Sequence, residues 1–368
     1  MNLGGVAKRA GVVTGVAAGV AGAVYAGERA IAARIRRGGP DEPVDDPLVP
    51  EIDEMSRIET HDGGELYVIE RGPASGAERN GASGAERNGA SVAERNGAAS
   101  QPIVFAHGIT LTSQVWARQF RSFPEAGFRA IAFDGRGHGE SKVGESGHSI
   151  ENLAEDLRTV LTRLDLRDAI LVGHSMGGMA VQGLAVHHPD VLAERVRGIV
   201  LLSTSPRSFA SDAHRTRHSL QRVAGLVPDV GAVMRQRNLG LLIARAGFGD
   251  DPDPRCVEAT RQMLGGTSRE TMREAGRALL ELDFTDELPE LRVPTLVIVG
   301  SADLLTTPRE SRTIADLVPG AELVELPRAG HMLMYERTEE LDRLVMEFAR
   351  ACVDQRSPSA SAVRSGVH

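Results

Sequence analysis

The chain has 368 residues, of which 41% are apolar and 25% charged; these are ordinary globular values and allow one large domain or two smaller ones. A net charge of −8 argues against a general nucleic-acid binder. Lys8 and Lys142 are its two lysines and no G-x-x-x-x-G-K-[ST] occurs, which disfavours Schiff-base and P-loop chemistry, while Cys256 and Cys352 are too few for a disulfide framework or a zinc site.

Residues 10–27, "AGVVTGVAAGVAGAVYAG", carry no charge, and Gly11, Gly15, Gly19, Ala23 and Gly27 recur every four residues. Such a small-residue stripe suits close helix packing in a membrane. As a helix the run would span roughly 27 Å, marginal for a bilayer. A membrane anchor within 1–37 is the favoured reading, so membrane association is expected ahead of secretion or a cytoplasmic location. A signal peptide cut after Ala21-Gly22-Ala23, or a surface tail, are the alternatives. Residues 38–54 follow as a linker, with four prolines and four acids in "GGPDEPVDDPLVP".

A folded core is expected from residue 55. "RIETHDGGELYVIERG" predicts two strands joined by an Asp-Gly-Gly turn. Next, "GAERNGAS" occurs twice from residue 76 and decays into "VAERNGAA". Three polar octapeptides cannot form a solenoid, so 74–100 reads as a solvated insertion without a catalytic role. The chain then alternates. "PIVFAHG" and "RAIAFD" predict strands, and "SIENLAEDLRTVLTRL" a helix with Ser149 as N-cap and Ile150, Leu153, Leu157, Val160, Leu161 and Leu164 on one face. "DAILVG", "VRGIVLLST", "PTLVIVG" and "AELVELP" are further strands, and "TPRESRTIADLV" and "RTEELDRLVMEFARACV" are helices. This alternation predicts an open, doubly wound α/β sheet built from 55–205 and 291–352. Residues 206–290 contain no convincing strand and are expected to form a helical cap over the carboxyl ends of the strands. The cap has 12 Arg and 12 acids between 206 and 287, so no net field selects a charged substrate. Met234, Met263 and Met272 either line an apolar pocket or pack in the core. Residues 353–368 read as a disordered tail.

The chemistry centres on "ILVGHSMGG", residues 170–178. Gly173-His174-Ser175-Met176-Gly177 is a G-x-S-x-G pattern between a predicted strand and helix, the elbow that lifts a serine hydroxyl clear of a sheet. A serine hydroxyl is a poor nucleophile unless a base touches it and a third group orients the base. His331, in "LPRAGHMLMYE", follows the last predicted strand and suits the base role. Asp303 follows the preceding one in "VIVGSADLLTTP". The loop "STSPRSFASD" after the strand before that has no acid ahead of Asp212, which leaves Asp303 as the better orienting acid. The order Ser175, Asp303, His331 is the one such elbows use. Two N–H donors for an oxyanion are expected from Met176, at a helix N-terminus, and from Ile109, in the loop after "PIVFAHG".

Together, His107-Gly108 with Trp116 downstream, "DGRGHGES" at 134–141, "GHSMGG" at 173–178, Asp303 and His331 resemble the α/β-hydrolase superfamily across roughly 55–350. The resemblance implies a mostly parallel, eight-stranded sheet with an inserted cap. It implies that His107 shapes the oxyanion loop and that His138 and His174 support turns. Dehalogenases and epoxide hydrolases of this superfamily place Asp at the elbow, so Ser175 points to acyl transfer of the esterase, lipase or thioesterase kind. "GHSMGG" is also similar to the run in monoacylglycerol lipases and cofactor-free haloperoxidases; these relatives lack the inserted repeat. The expected function is a serine hydrolase acting on a small or apolar ester. A perhydrolase or haloperoxidase, or a non-catalytic ligand binder, are the alternatives. No cofactor and no metal is expected: "GRGHG" lacks dinucleotide spacing, and His187-His188 sits at a helix end. The expected partner is a small acyl substrate, not nucleic acid.

Overall fold

The computed structural model describes residues 33, 48–73, 100–208, 233–234 and 236–354. The expected membrane segment, most of the proline-acid linker, the octapeptide repeat, the first part of the cap and the C-terminal tail lie outside the described residues. Eight strands form one sheet: β1 (Glu54–Glu59), β2 (Glu65–Arg71), β3 (Pro102–Ala106), β4 (Arg129–Phe133), β5 (Ala169–His174), β6 (Val196–Leu202), β7 (Thr295–Gly300) and β8 (Glu322–Leu326). Their order is β1-β2-β4-β3-β5-β6-β7-β8. β1 pairs antiparallel with β2 and β2 antiparallel with β4. Every other pairing is parallel. The strands flanking the inserted repeat pair in regular register, Arg71 opposite Ala130 and Ile103 opposite Ala130. Because β4 lies on one side of β3 and β5 on the other, the chain reverses direction there. Such switch points open a crevice at the carboxyl ends of the strands.

Alternate side chains of the central strands point to opposite faces, so each face needs its own cover. On one face, Val104, Ile131, Leu171, Leu201 and Val297 pack with Leu157 and Leu161 of α2 (Ile150–Arg163) and Val181 and Leu184 of α3 (Met176–His187). The opposite face carries Ile103, Phe105, Ile170, Val200 and Ile298, covered by Phe120 and Phe123 of α1 (Gln119–Glu125) and by Leu341 and Val345 of α10 (Thr338–Asp354). Ser149 caps α2 as its position predicts, its hydroxyl accepting from Asn152 N at 3.1 Å. Two short helices complete the core, α4 (Pro189–Arg195) and α8 (Pro308–Leu317). The cap supplies α5 (Arg237–Arg245), α6 (Pro254–Gly266) and α7 (Arg269–Glu281), and α9 (Leu333–Glu336) follows β8. Met234 and Met263 are buried, and Met263 packs in the core cluster with Leu241 and Val257. Ahead of β1, Leu48 packs on the core and Glu51 pairs with Arg71 at 2.6 Å.

Two buried polar joints tie the layers together. Arg136, in the turn after β4, is fully buried and donates from Nε and Nη2 to both Asp156 oxygens, each at 2.7 Å. Its Nη1 reaches Asp62 at 3.1 Å and the Gly147 carbonyl at 2.6 Å. One guanidinium thus joins the β1–β2 hairpin, the β4 turn and α2. Breaking a buried pair strands the remaining charge, so Arg136→Met should cost about 3–5 kcal/mol, measured by urea denaturation. A loss below about 1 kcal/mol would contradict this role.

The second joint is Asp342 on α10. It accepts from Gln119 Nε2 at 2.8 Å and Ser122 Oγ at 2.6 Å, both on α1. Burial pushes its carboxyl from the ordinary 3.8 up to about 6, and the two hydrogen bonds and nearby Arg118 offset this only in part. Between those values the folded chain keeps a proton that the unfolded chain releases. The group's contribution to stability therefore falls as pH rises through that window. Asp342→Asn, which can still bond Gln119 and Ser122, should gain on the wild type by up to about 3 kcal/mol between about pH 4 and about pH 7. A difference in unfolding free energy that stays flat with pH would remove Asp342 as the source.

Candidate active site

Three loops at the carboxyl ends of β3, β5 and β7 meet a fourth that follows β8. The β5 loop is the elbow itself. Ser175 sits at φ 53°, ψ −117°, a conformation non-glycine residues avoid. Its N–H donates to Leu202 O at 3.0 Å and its carbonyl accepts from Thr204 Oγ1 at 2.7 Å, so the end of β6 and the loop after it hold the turn on both sides. The flanking glycines have no room for a side chain. A Cβ on Gly177 would lie 2.2 Å from Ala106 O, and one on Gly173 would lie 2.5 Å from Gly177 O. The start of α3 is therefore pressed against the end of β3. The β3 loop comes equally close: a Cβ on Gly108 would stand 3.1 Å from the Ser175 Cβ. This places Ile109, the next residue, beside the elbow.

His107 fixes that loop. Its Nε2 accepts from Gly135 N at 2.8 Å, which leaves Nδ1–H to donate to Gly108 O at 2.7 Å. Burial lowers its pKa, keeping it neutral. His138 is likewise lowered to about 3 by burial, and its Nδ1 bonds Arg136 O at 3.0 Å. Neither ring is placed to serve as a base; both hold turns.

Asp303 and His331 are in direct contact. His331 Nδ1 and Asp303 Oδ2 are 2.9 Å apart, and Asp303 is 2% exposed. Asp303 Oδ1 accepts from Leu305 N at 2.8 Å and Thr306 N at 3.0 Å. Burial alone would raise this carboxyl, but His331 and the loop N–H groups outweigh it and hold it below the ordinary value. With Asp303 ionised, His331 carries its proton on Nδ1 and keeps the Nε2 lone pair free to accept one. His331 is tied to the elbow through the residue before Ser175: His174 Nε2–H donates to His331 O at 2.9 Å, and the two rings lie 4.6 Å apart. Burial drives His174 well below its ordinary pKa, so it stays neutral beside His331.

Thr306 completes the pair. Its Oγ1–H donates to Asp303 Oδ2 at 3.1 Å and the same oxygen lies 3.2 Å from His331 Nδ1. Sequence reasoning does not find it, because a Thr before Thr307-Pro308 reads as part of a helix start. Among the described residues, no group of three or more His, Cys, Asp or Glu could hold a metal ion. A cavity of about 830 Å³ lies elsewhere, lined by Leu192, Val196, Leu288, Leu291 and Cys352 near the amino ends of β6 and β7.

Residues 101–338 match the sequence profile of the alpha/beta hydrolase fold, and the chain belongs to that family of hydrolases. A non-heme chloroperoxidase of Kitasatospora aureofaciens is 29% identical over 67% of this chain and 92% of its own length. The 3-oxoadipate enol-lactonase 2 of Acinetobacter baylyi is 28% identical over 66% of this chain and 86% of its own. Among solved structures, an esterase from Exiguobacterium antarcticum superposes with a TM-score of 0.66 at 19% identity, covering 81% of this chain and all 100% of its own; at that identity it supports the fold alone.

The strain at the elbow is open to measurement. Ordinarily glycine destabilises by about 0.5–1 kcal/mol relative to alanine. At the Ser175 backbone the order should invert, with Ser175→Gly more stable than Ser175→Ala by about 1 kcal/mol in chemical denaturation. If the alanine variant is the more stable, the elbow is not strained.

Proposed function

We propose that the protein is a serine hydrolase that cleaves an ester-type acyl bond through Ser175, His331 and Asp303. The observation that carries this reading is the Asp303–His331 pair, bonded through Nδ1 and tied by His174 to a strained serine elbow. Ser175 Oγ attacks the acyl carbonyl carbon while His331 Nε2 takes the hydroxyl proton. Asp303 keeps the imidazole in the Nδ1–H tautomer and stabilises the cation that forms. The oxyanion is met by the N–H groups of Ile109 and Met176. Met176 is the first residue of α3, where helix N–H groups have no intrahelical partner. His331 then returns the proton to the departing alkoxide, which leaves as an alcohol. Water repeats the sequence on the acyl-enzyme, releasing a carboxylic acid and restoring the serine. The presence of enol-lactonases among the similar proteins agrees with this chemistry. A small or apolar substrate suits a cap whose charges balance.

A second reading, peroxide-dependent halogenation, draws support from the chloroperoxidase likeness. It uses the same serine to hold an acyl group and differs in the acceptor, hydrogen peroxide in place of water; the peracid released then oxidises halide to hypohalous acid and returns to the carboxylic acid.

Fluorophosphonate labelling tests the proposal. Ser175→Ala should lose all labelling, and its turnover of p-nitrophenyl esters should fall by at least about 10⁴-fold. Persistent labelling refutes the nucleophile. A panel of p-nitrophenyl esters of rising acyl length orders the substrate class, and bromination with acetate and peroxide separates the second reading from the first.

A further inference from the structure

His331 stands in a loop, and loops hold a ring steady only if their backbone is anchored. The contacts around it show an anchor outside the proposed triad. Glu336 closes α9, five residues after His331. Its Oε1 accepts from the backbone N–H of Gly330 and of Met332, each at 3.1 Å. Its Oε2 accepts from Gly249 N at 2.7 Å and again from Gly330 N at 3.1 Å. The residues on both sides of His331 therefore donate to one carboxylate, and a third donor comes from the turn that follows α5 in the cap.

That turn is stitched to the His331 loop along its whole length. His331 N donates to Gly247 O at 2.8 Å, and Asp250 N donates to Arg328 O at 3.0 Å. The two backbones touch: a Cβ on Gly249 would lie 2.1 Å from Arg328 O, and one on Gly330 would lie 2.4 Å from Gly249 N. In so close a crossing, the N–H groups of three buried residues, Gly249, Gly330 and Met332, converge on one partly buried side chain. A carboxylate, which accepts at two oxygens and donates nothing, matches this demand.

We propose that Glu336 is a positioning residue, which fastens the His331 loop to the cap turn 247–250 and so sets where the His331 ring meets Ser175. This inference rests on the triad reading above. Asp303 fixes the ring's rotation through Nδ1, and Glu336 fixes the main chain from which the ring hangs. The cap thereby takes part in placing the base, without touching it. Displacing a reacting group by about 1 Å typically costs about 10²-fold in rate.

The chemistry of the joint dictates the variants. Glu336→Gln replaces one accepting oxygen by an NH₂ group, which must face at least one of the three N–H donors. Glu336→Ala removes every acceptor. Gly249→Ala attacks the same joint from the cap side, since its new methyl must push the Arg328 carbonyl away. The full-length protein is assayed with p-nitrophenyl butyrate and by the rate of fluorophosphonate labelling, with His331→Ala as reference and the thermal midpoint of each variant checked to lie above the assay temperature. The expected result is a loss in kcat of about 10-fold for Glu336→Gln and about 100-fold for Glu336→Ala and Gly249→Ala, with KM within about twofold. Labelling should slow in proportion, and the His331 Nδ1 proton should broaden in NMR spectra. If Glu336→Ala does not fold, Glu336→Gln decides. Folded Glu336 and Gly249 variants with the wild-type kcat, or with only KM raised, overturn the inference while an inactive His331→Ala leaves the triad standing. Wild-type labelling in His331→Ala overturns the triad, and this inference with it.

Discussion

The close approach of the α3 start to the end of β3 governs the rest of this structure. Gly177 lies so near the Ala106 carbonyl that no side chain fits between them. From that contact follow the sharp turn after β5, the left-handed backbone at Ser175 and the nearness of the Gly108 loop. A residue held at positive φ costs about 1–3 kcal/mol and survives only where its surroundings over-determine it. Here they do. β3 and β5 are neighbouring, fully buried parallel strands, in register from Ile103 opposite Ile170 to Ala106 opposite Gly173. The Ser175 peptide groups are in turn held by Leu202 and Thr204.

Around the elbow, polar groups are buried and matched in a fixed order. Asp303 receives two loop N–H groups, a threonine hydroxyl and an imidazole. His174 gives its proton to the His331 carbonyl and is kept neutral by burial. A neutral ring here adds no positive charge beside the His331 imidazole. Low-dielectric surroundings strengthen each of these contacts and penalise any that is left unmade. The site is thus held rigid by matched, buried polar contacts.

The fold divides labour between the two ends of the sheet order. Near the β1–β2 edge, Arg136 binds hairpin, turn and helix into a unit that carries the loop fixed by His107. Toward the β8 edge, the cap turn and the His331 loop are crossed backbone against backbone. The serine stands between a side held by buried ion pairs and a side held by main-chain contacts. Glu336 belongs to the second side. Any motion of the cap that shifts residues 247–250 is transmitted to the His331 loop through that carboxylate.

Much of this was legible from the chain alone. Runs such as "AILVG" and "LVIVG" are apolar throughout because both faces of their strands are covered, and a local pattern suffices to recognise that. Ser149 announces its helix for the same reason, since a cap and its N–H lie three residues apart. The elbow at Ser175 and the contact of Asp303 with His331 were legible by their places after strands, because a sheet of this kind presents its strand ends together. The short helices were not. α1 has seven residues with Pro124 inside it, and α9 has four, too few turns for a periodicity to show. Thr306 and Glu336 were also hidden, as each joins near neighbours to a partner far along the chain, His331 at 25 residues and Gly249 at 87. The amino-acid order determined the alternation of elements and the places of Ser175, Asp303 and His331 at strand ends, since both depend on neighbours in the chain. Only tertiary packing decided which backbone N–H groups would be stranded between crossing loops, and therefore which carboxylate had to stand there to receive them.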